Sequence, residues 1–197
     1  MRHAALFGGT FDPVHNAHLA LARTALEALA LDEVRWVPAG QPWQKSRAVS
    51  PARHRLAMLE LALAGEPRCV IDRIEIEREG PSYTLDTVKT LRAAEPATDW
   101  VLLIGQDQYA GLHTWQGWRE LLGLVTLAVA RWPGAPAGAN AEVVRAGCRA
   151  VPLPMMDVSA TDIRTRVAAG RDISALVPAG VAGYIARHGL YRSPDRS

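Results

Sequence analysis

The sequence predicts an α/β fold: a doubly wound, Rossmann-like parallel sheet with helices on both faces and a small helical C-terminal part. Short apolar segments alternate with helix-like segments along the 197 residues. Some of the apolar segments, such as WVLLI, contain no polar residue. Apolar strands separated by helices are typical of a parallel sheet that is covered on both faces. Two of these segments also end at glycine, where a strand can enter a tight turn.

In the first half of the chain, turn residues separate the predicted elements. Residues 3–7 form a strand that ends in Gly-Gly, and the Ala- and Leu-rich residues 17–29 form a helix. EVRWVP, residues 33–38, is the second strand. Ser50 as N-cap and a proline at the first helical position begin a helix that runs to about residue 64. Residues 69–76 are a third strand, which EGPS ends.

The second half continues the alternation. Residues 100–104 form an apolar strand, and the following GQDQYAG is expected to be a loop. Further helices are predicted at 85–94, 115–122 and from about 160 and 179, and further strands at 125–130 and about 150–153. The segment after the Pro/Gly-rich loop at 133–139 depends on packing elsewhere, so residues 1–197 are predicted to form one domain. Its tail is expected to fray from about residue 192.

Composition limits the partners and the compartment. A net charge of +2 without a basic run predicts no nucleic-acid partner and favours a small phosphorylated ligand. Cys69 and Cys148 form no CxxC pair, which fits a reducing compartment. Apolar runs are too short for a signal peptide or a membrane helix, so the prediction is a cytoplasmic protein without a membrane partner. The sequence leaves the oligomeric state open and is compatible with a homo-oligomer.

The motif GGTFDPVHNAH lies between the first strand and the first helix. Glycines there allow close approach of a ligand, and a helix N-terminus attracts an anion, although a plain turn explains a Gly-Gly pair equally well. His15 and His18 share one face of that helix start. Metal binding lacks an evident third ligand, and polar packing needs no ligand at all. Phosphate binding is favoured because Gly9, Thr10 and the helix N-terminus converge on one point.

Two further helix starts carry candidate residues. Ser159 and Asp162 form a capping-box-like pair, while Arg164 one turn later adds a guanidinium suited to phosphate. In PSYTLDT, free amides at the helix start are suited to a carboxylate, and Tyr83 can stack on a flat ring. Trp43 and Trp115 fall at loop or helix-start positions where a ring can face a ligand, although core packing is the commoner fate of tryptophan.

In order along nearly the whole chain, these motifs resemble those of the bacterial nicotinate-nucleotide adenylyltransferases. GGTFDPVHNAH alone indicates only the wider nucleotidyltransferase superfamily, with its T/HxGH turn. SYTLDT, then GQDQYAGLHTW, and then SATDIR are much more specific. The resemblance implies transfer of the adenylyl group of ATP to nicotinate mononucleotide, giving nicotinate adenine dinucleotide and pyrophosphate. The attack is direct and in line, without a covalent intermediate.

For ATP, the resemblance implies His15, His18 and Arg164 as catalytic residues, with at least one histidine cationic in the complex. No proton has to move in this reaction, which removes the need for an acid–base pair. The wider ATP site that it implies comprises Gly8, Gly9, Thr10, Phe11, His15, His18, Gly105, Asp107, Ser159, Thr161, Ile163 and Arg164. Mg²⁺ would arrive on the ATP phosphates, and no metal site on the protein is predicted.

For nicotinate mononucleotide, the resemblance implies that the amides of Tyr83 and Thr84 bind the carboxylate and that Trp115 stacks on the pyridine ring. Lys45 is the candidate for the phosphate, and Arg131 is a further candidate contact.

The chain departs from the family pattern at three places. Ala17 replaces the usual motif glycine, Trp132 interrupts an Arg-Pro pair after Arg131, and Gln44-Lys45 replaces a His-Lys pair. Two alternatives remain. One is another adenylyl- or cytidylyltransferase, such as one that acts on phosphopantetheine; the other is a non-catalytic nucleotide sensor.

Overall fold

The computed structural model describes residues 1–41, 49–131 and 138–192. Its described strands form one sheet in the order β3-β2-β1-β4-β5-β6, and every neighbouring pair is parallel. The strands are β1 (Arg2–Gly9), β2 (Glu33–Pro38), β3 (Cys69–Ile71), β4 (Thr98–Ile104), β5 (Thr126–Arg131) and β6 (Arg149–Pro152).

Helices cover both faces of the sheet. They are α1 (Asn16–Ala28), α2 (Ala52–Leu63), α3 (Ile74–Glu77), α4 (Thr84–Ala94), α5 (Gln106–Gly111), a 3₁₀ turn (Leu112–Thr114), α6 (Trp118–Leu124), α7 (Ala141–Ala146), α8 (Ala160–Ala168) and α9 (Ala179–Arg187). Ala5 and Phe7 of β1 belong to the core cluster that includes α1, α2, α8 and α9. Ala4 and Leu6 belong to the cluster on the opposite face, with α4, α6 and α7. The doubly wound α/β prediction is confirmed.

The strand order reverses between β1 and β4. From β1 the chain proceeds to β2 and β3 on one side, whereas β4 leads to β5 and β6 on the other. Leu6 of β1 is in register with Leu102 of β4, so the loops after the two strands leave the same edge of the sheet. Ligands of open α/β sheets bind at such a reversal.

Apart from shifts of one or two residues at the ends of β1, α1 and α2, two boundaries in the first half differ from the prediction. Ser50 is not an N-cap: Pro51 takes that position with ψ 143°, and the Ser50 N–H donates to the Asp12 carboxylate at 3.2 Å. The strand predicted over 69–76 ends at Ile71, because the Asp72 carboxylate accepts the Ile74 N–H at 3.0 Å and starts α3.

Two further differences follow β4. The predicted loop GQDQYAG contains α5, whose first turn is closed by the Gly105 N–H donating to Gln108 Oε1 at 3.1 Å. The next helix starts at Trp118 and not at residue 115, because Gly117 has a left-handed backbone conformation with φ 63° that a right-handed helix cannot contain. A Cβ at Gly117 would meet Leu85 Cδ2 at 2.4 Å, so a side chain there would also force Leu85 to move. Among the described residues, no helix is both long enough and apolar enough to cross a membrane.

Candidate active site

A cleft of about 620 Å³ opens at the carboxyl ends of β1 and β4. Its size suits a ligand of nucleotide dimensions. The lining comes from the loop after β1, the first turn of α1, the start of α4, the loop and helix after β4, and the segment that leads from β6 into α8.

The two motif glycines differ in the space around them. A Cβ on Gly9 would lie 2.9 Å from Cζ of the Phe11 ring, so the fold itself requires glycine there. A Cβ on Gly8 would meet its nearest protein atoms at 3.9 Å, an ordinary contact. Protein packing therefore does not explain Gly8, which lies on the cleft.

His15 and His18 stack against each other, with ring centroids 3.6 Å apart and an interplanar angle of 23°. The backbone N–H of His15 donates to the ring nitrogen Nδ1 of His18 at 3.2 Å. Because Nδ1 accepts, a neutral His18 carries its proton on Nε2. That nitrogen is then a donor on a ring that lines the cleft.

Burial determines the charge of the two rings in the free protein. It lowers the pKa of His15 from 6.5 to about 4. Burial, and then repulsion from His15, lower the pKa of His18 well below 6.5. Both imidazoles are therefore neutral at neutral pH, and a cationic histidine in a complex requires a bound anion that raises its pKa.

The His15 shift predicts acid sensitivity of the fold. The unfolded chain takes up the proton below pH 6.5 and the folded chain only near pH 4, so stability falls as the pH drops through this interval. The loss from this group by pH 4.5 is about 2–3 kcal/mol. Urea unfolding at pH 7.5 and 4.5 should show a smaller loss for His15→Asn than for the parent protein. Equal losses in the two proteins would contradict this assignment.

A polar network supports the backbone of the loop after β1. The buried Arg55 donates from Nη1 to the Thr10 carbonyl at 3.0 Å and from Nε to the Ser50 carbonyl at 2.9 Å. From α8, Arg164 donates through Nη1 to the Asp12 carbonyl at 2.8 Å. Its Nη2 donates to Oγ1 of Thr161 at 3.1 Å. The Asp12 carbonyl and the Thr161 hydroxyl thus help to orient the guanidinium at the cleft.

A second network holds the start of α4. The buried Glu75 carboxylate accepts from the Thr87 hydroxyl at 2.7 Å, and desolvation raises the pKa of Glu75 despite that bond. Ser82 Oγ accepts the N–H groups of Gly40 and Gln41 at 3.0 and 3.2 Å. These bonds fix the approach of the chain to Tyr83, the N-cap of α4, and hence the direction of the first helical amides.

Most of the residues predicted for the site line this cleft. They are Gly8, Gly9, Thr10, Phe11, His15, His18, Tyr83, Thr84, Gly105, Asp107, Trp115, Ser159, Thr161 and Arg164.

Two predicted residues do not line the cleft. Ile163 is fully buried in the core, and its N–H is bonded to the Ser159 carbonyl, so neither its side chain nor its amide is presented to a ligand. Arg131 lies at the end of β5, with Nη2 3.6 Å from Cys148 Sγ and its guanidinium 5.9 Å from the Tyr109 ring centroid. Lys45 and Trp43 lie outside the described residues.

Sequence reasoning missed several residues that form or support the cleft. Asp12, Glu75 and Ser82 line it, and Arg55 and Tyr191 bond to its loops. Asp12 lies within GGTFDPVHNAH and Ser82 within PSYTLDT, so their places in these motifs could have identified both as site residues. The roles of the other three depend on contacts that the local sequence does not encode. In the part of the chain that the structure describes, no group of three or more His, Cys, Asp or Glu residues could hold a metal ion.

The match to known proteins extends over most of the chain. Residues 6–166 match the model of the family described as Cytidylyltransferase-like. Over 98% of its length the chain is 49% identical to a protein of Methylibium petroleiphilum and 48% identical to one of Bordetella petrii, covering 94% and 100% of those proteins. Both carry the name "Probable nicotinate-nucleotide adenylyltransferase". The chain belongs to the nicotinate-nucleotide adenylyltransferases of the cytidylyltransferase-like family.

The fold of this adenylyltransferase matches a solved relative. A nicotinic acid mononucleotide adenylyltransferase of Plasmodium falciparum, solved with NaAD, superposes with a TM-score of 0.83. The superposition covers 97% of this chain and 98% of that one, at 15% sequence identity. At this identity the likeness shows the fold. The resemblance inferred from the motifs is confirmed, and Ala17 lines the cleft of this family member.

Proposed function

We propose that the protein transfers the adenylyl group of ATP to nicotinate mononucleotide, producing nicotinate adenine dinucleotide and pyrophosphate. The observation that carries the proposal is the convergence of two unlike anion sites on one cleft. The stacked histidines with Arg164 suit a polyphosphate, while the start of α4 beside Trp115 suits a flat ring that bears a carboxylate. Near-full-length relatives that bear the corresponding name support it.

The reaction needs orientation and charge stabilisation more than acid–base chemistry. A phosphate oxygen of the mononucleotide attacks the α-phosphorus of ATP, a new P–O bond forms, and the bond to the β-phosphate breaks. The attacking oxygen is already anionic at neutral pH, and the electron pair leaves on pyrophosphate. Groups that hold the two substrates in line and stabilise the charge on pyrophosphate therefore provide the rate enhancement.

On the ATP side, His18 would donate from Nε2 to the triphosphate, together with His15 and the Thr10 hydroxyl. Arg164 would bind the β- and γ-phosphates, with Ser159 and Thr161 beside it, and Gly105 and Asp107 would face the ribose. ATP would enter as its Mg²⁺ complex, with the metal carried by the phosphates of the substrate.

On the acceptor side, the first amides of α4 would bind the nicotinate carboxylate. Amides in the first turn of a helix have no acceptor within that helix, and the helix dipole favours an anion there. Trp115 would stack on the pyridine ring. Lys45 is retained as the candidate for the mononucleotide phosphate.

The contrast between the motif glycines tests how closely a substrate approaches. Gly8→Ala adds a methyl group whose nearest protein atoms lie 3.9 Å away, so the melting temperature should stay within about 2 °C of the parent value. The KM for ATP should rise by about tenfold or more if the substrate uses that space. Gly9→Ala, whose Cβ meets Phe11, should instead lower the melting temperature. A Gly8→Ala enzyme with an unchanged KM would remove Gly8 from the ATP site.

Pyrophosphate release distinguishes the candidate functions. The protein is incubated with MgATP and, in separate reactions, with nicotinate mononucleotide, nicotinamide mononucleotide, phosphopantetheine or no acceptor. Release should be fastest with nicotinate mononucleotide, accompanied by the dinucleotide. Faster release with phosphopantetheine would assign the protein to a different transferase reaction. Binding of ATP without release in any reaction would favour a sensor.

A further inference from the structure

Tyr191, near the end of the described chain, reaches the loop after β1. Its hydroxyl donates to Asp12 Oδ1 at 2.6 Å, across 179 residues of sequence. Asp12 is 1% exposed. Tyr191 itself adopts φ 62°, a left-handed conformation that a non-glycine residue adopts at a cost and that the surrounding contacts must maintain.

Asp12 connects three segments of the chain. Its Oδ2 accepts the Ser50 N–H at 3.2 Å, at the residue where the chain enters α2. Its carbonyl accepts from Arg164 Nη1 at 2.8 Å, which links it to α8. The bond from Tyr191 is therefore made to the residue that joins the loop after β1 to both neighbouring segments.

Asp12 lies close to the groups proposed to act in catalysis. Asp12 is three residues before His15, and its carbonyl is one of the acceptors that orient Arg164. Burial leaves the carboxylate dependent on protein donors, because little water can replace a lost hydroxyl. Loss of the Tyr191 bond would therefore leave this buried carboxylate with one donor fewer, directly beside the loop after β1 and Arg164.

We propose that Tyr191 is a positioning residue for adenylyl transfer, acting through Asp12 on the loop after β1 and on Arg164. The inference rests on the proposed function. It assigns the C-terminal segment a part in the geometry of the active site although Tyr191 does not line the cleft.

Tyr191→Phe removes the hydroxyl and keeps the ring. Its matched control is Tyr184→Phe, which also removes one hydroxyl bond, the 2.9 Å contact between Tyr184 and His54 Nδ1, at a place outside the cleft lining. Tyr191→Phe should lower kcat by about tenfold or more, because small errors of alignment are costly in the transition state. The KM for ATP and the calorimetric Kd of a non-hydrolysable ATP analogue should change by less than about threefold. Tyr184→Phe should keep the parent kcat.

Asp12→Asn provides a second measurement. The carboxylate accepts from Tyr191 and from the Ser50 N–H through separate oxygens, whereas an amide has only one acceptor oxygen. The variant should therefore show the same kcat-selective loss. Combining it with Tyr191→Phe should add little to either change, as expected for residues that act as one unit. Equal kcat values for Tyr191→Phe and Tyr184→Phe would overturn the inference, as would independent effects in the double variant. An inactive parent protein that still binds ATP would instead defeat the proposed function.

Discussion

Replacing His18 by alanine should lower kcat for adenylyl transfer by about 100-fold to 1,000-fold, while the KM for ATP changes by less than about threefold. The backbone N–H of His15 donates to Nδ1 of His18. The proton of a neutral His18 is therefore on Nε2, where it can be donated to a ligand in the cleft. A donor directed at the pyrophosphate gains strength as the bond to the α-phosphorus breaks. Its removal therefore affects the transition state more than the bound substrate.

His113→Ala is the control for the His18 experiment. His113 is an exposed histidine of the 3₁₀ turn and does not line the cleft, so its loss should leave both kinetic constants unchanged. Steady-state kinetics and melting temperatures of the two variants separate catalysis from folding. Near-normal turnover of His18→Ala would reduce His18 to a packing residue.

Nicotinate mononucleotide should be preferred over its nicotinamide counterpart by a factor of about 100 or more in kcat/KM. A helix start stabilises a carboxylate through its amides and its dipole, and a neutral amide group gains much less there. Steady-state kinetics with both acceptors measure the ratio. Equal kcat/KM values would contradict the assignment of the α4 start to the carboxylate.

A proline substitution tests whether the backbone amide of Thr84 contributes to this preference. Thr84 is the first residue of α4, and Tyr83 before it is extended with ψ 128°. Proline is therefore tolerated at position 84 while the N–H is lost. Thr84→Pro should reduce the preference by about tenfold, mainly through the KM for nicotinate mononucleotide, whereas Thr84→Ala, which keeps the amide, should not.

Ala52→Pro is the matched control for the helix start. Ala52 is the first residue of α2, follows an extended Pro51 with ψ 143°, and does not line the cleft. The same change at this position should leave the preference between the two acceptors intact. An equal loss in both proline variants would indicate a general effect of proline on the fold.

Much of the fold follows from local pattern. EVRWVP is a strand with the predicted bounds 33–38, and the apolar run at 100–104 lies in the centre of the sheet. Buried parallel strands and Ala/Leu-rich helices have strong local signals. The strand predicted over 69–76 is confirmed only to Ile71, because the Asp72 carboxylate then accepts the Ile74 N–H and turns the chain into α3 despite the apolar Ile74 and Ile76.

The sequence by itself determined the motifs, their order and the chemistry available to them: glycines, two histidines, an arginine and three helix starts. These properties depend on residues close together in the chain, so local geometry is sufficient to interpret them. Only the tertiary structure decided that Ile163 and Arg131 do not line the cleft, that packing against Phe11 favours glycine at position 9 but not at position 8, and that Tyr191 bonds to Asp12. The physical reason is that these outcomes depend on side-chain contacts made when β1 and β4 become neighbours and the last helices pack on the first. They join residues that are far apart in the chain, and a local sequence pattern does not specify such contacts.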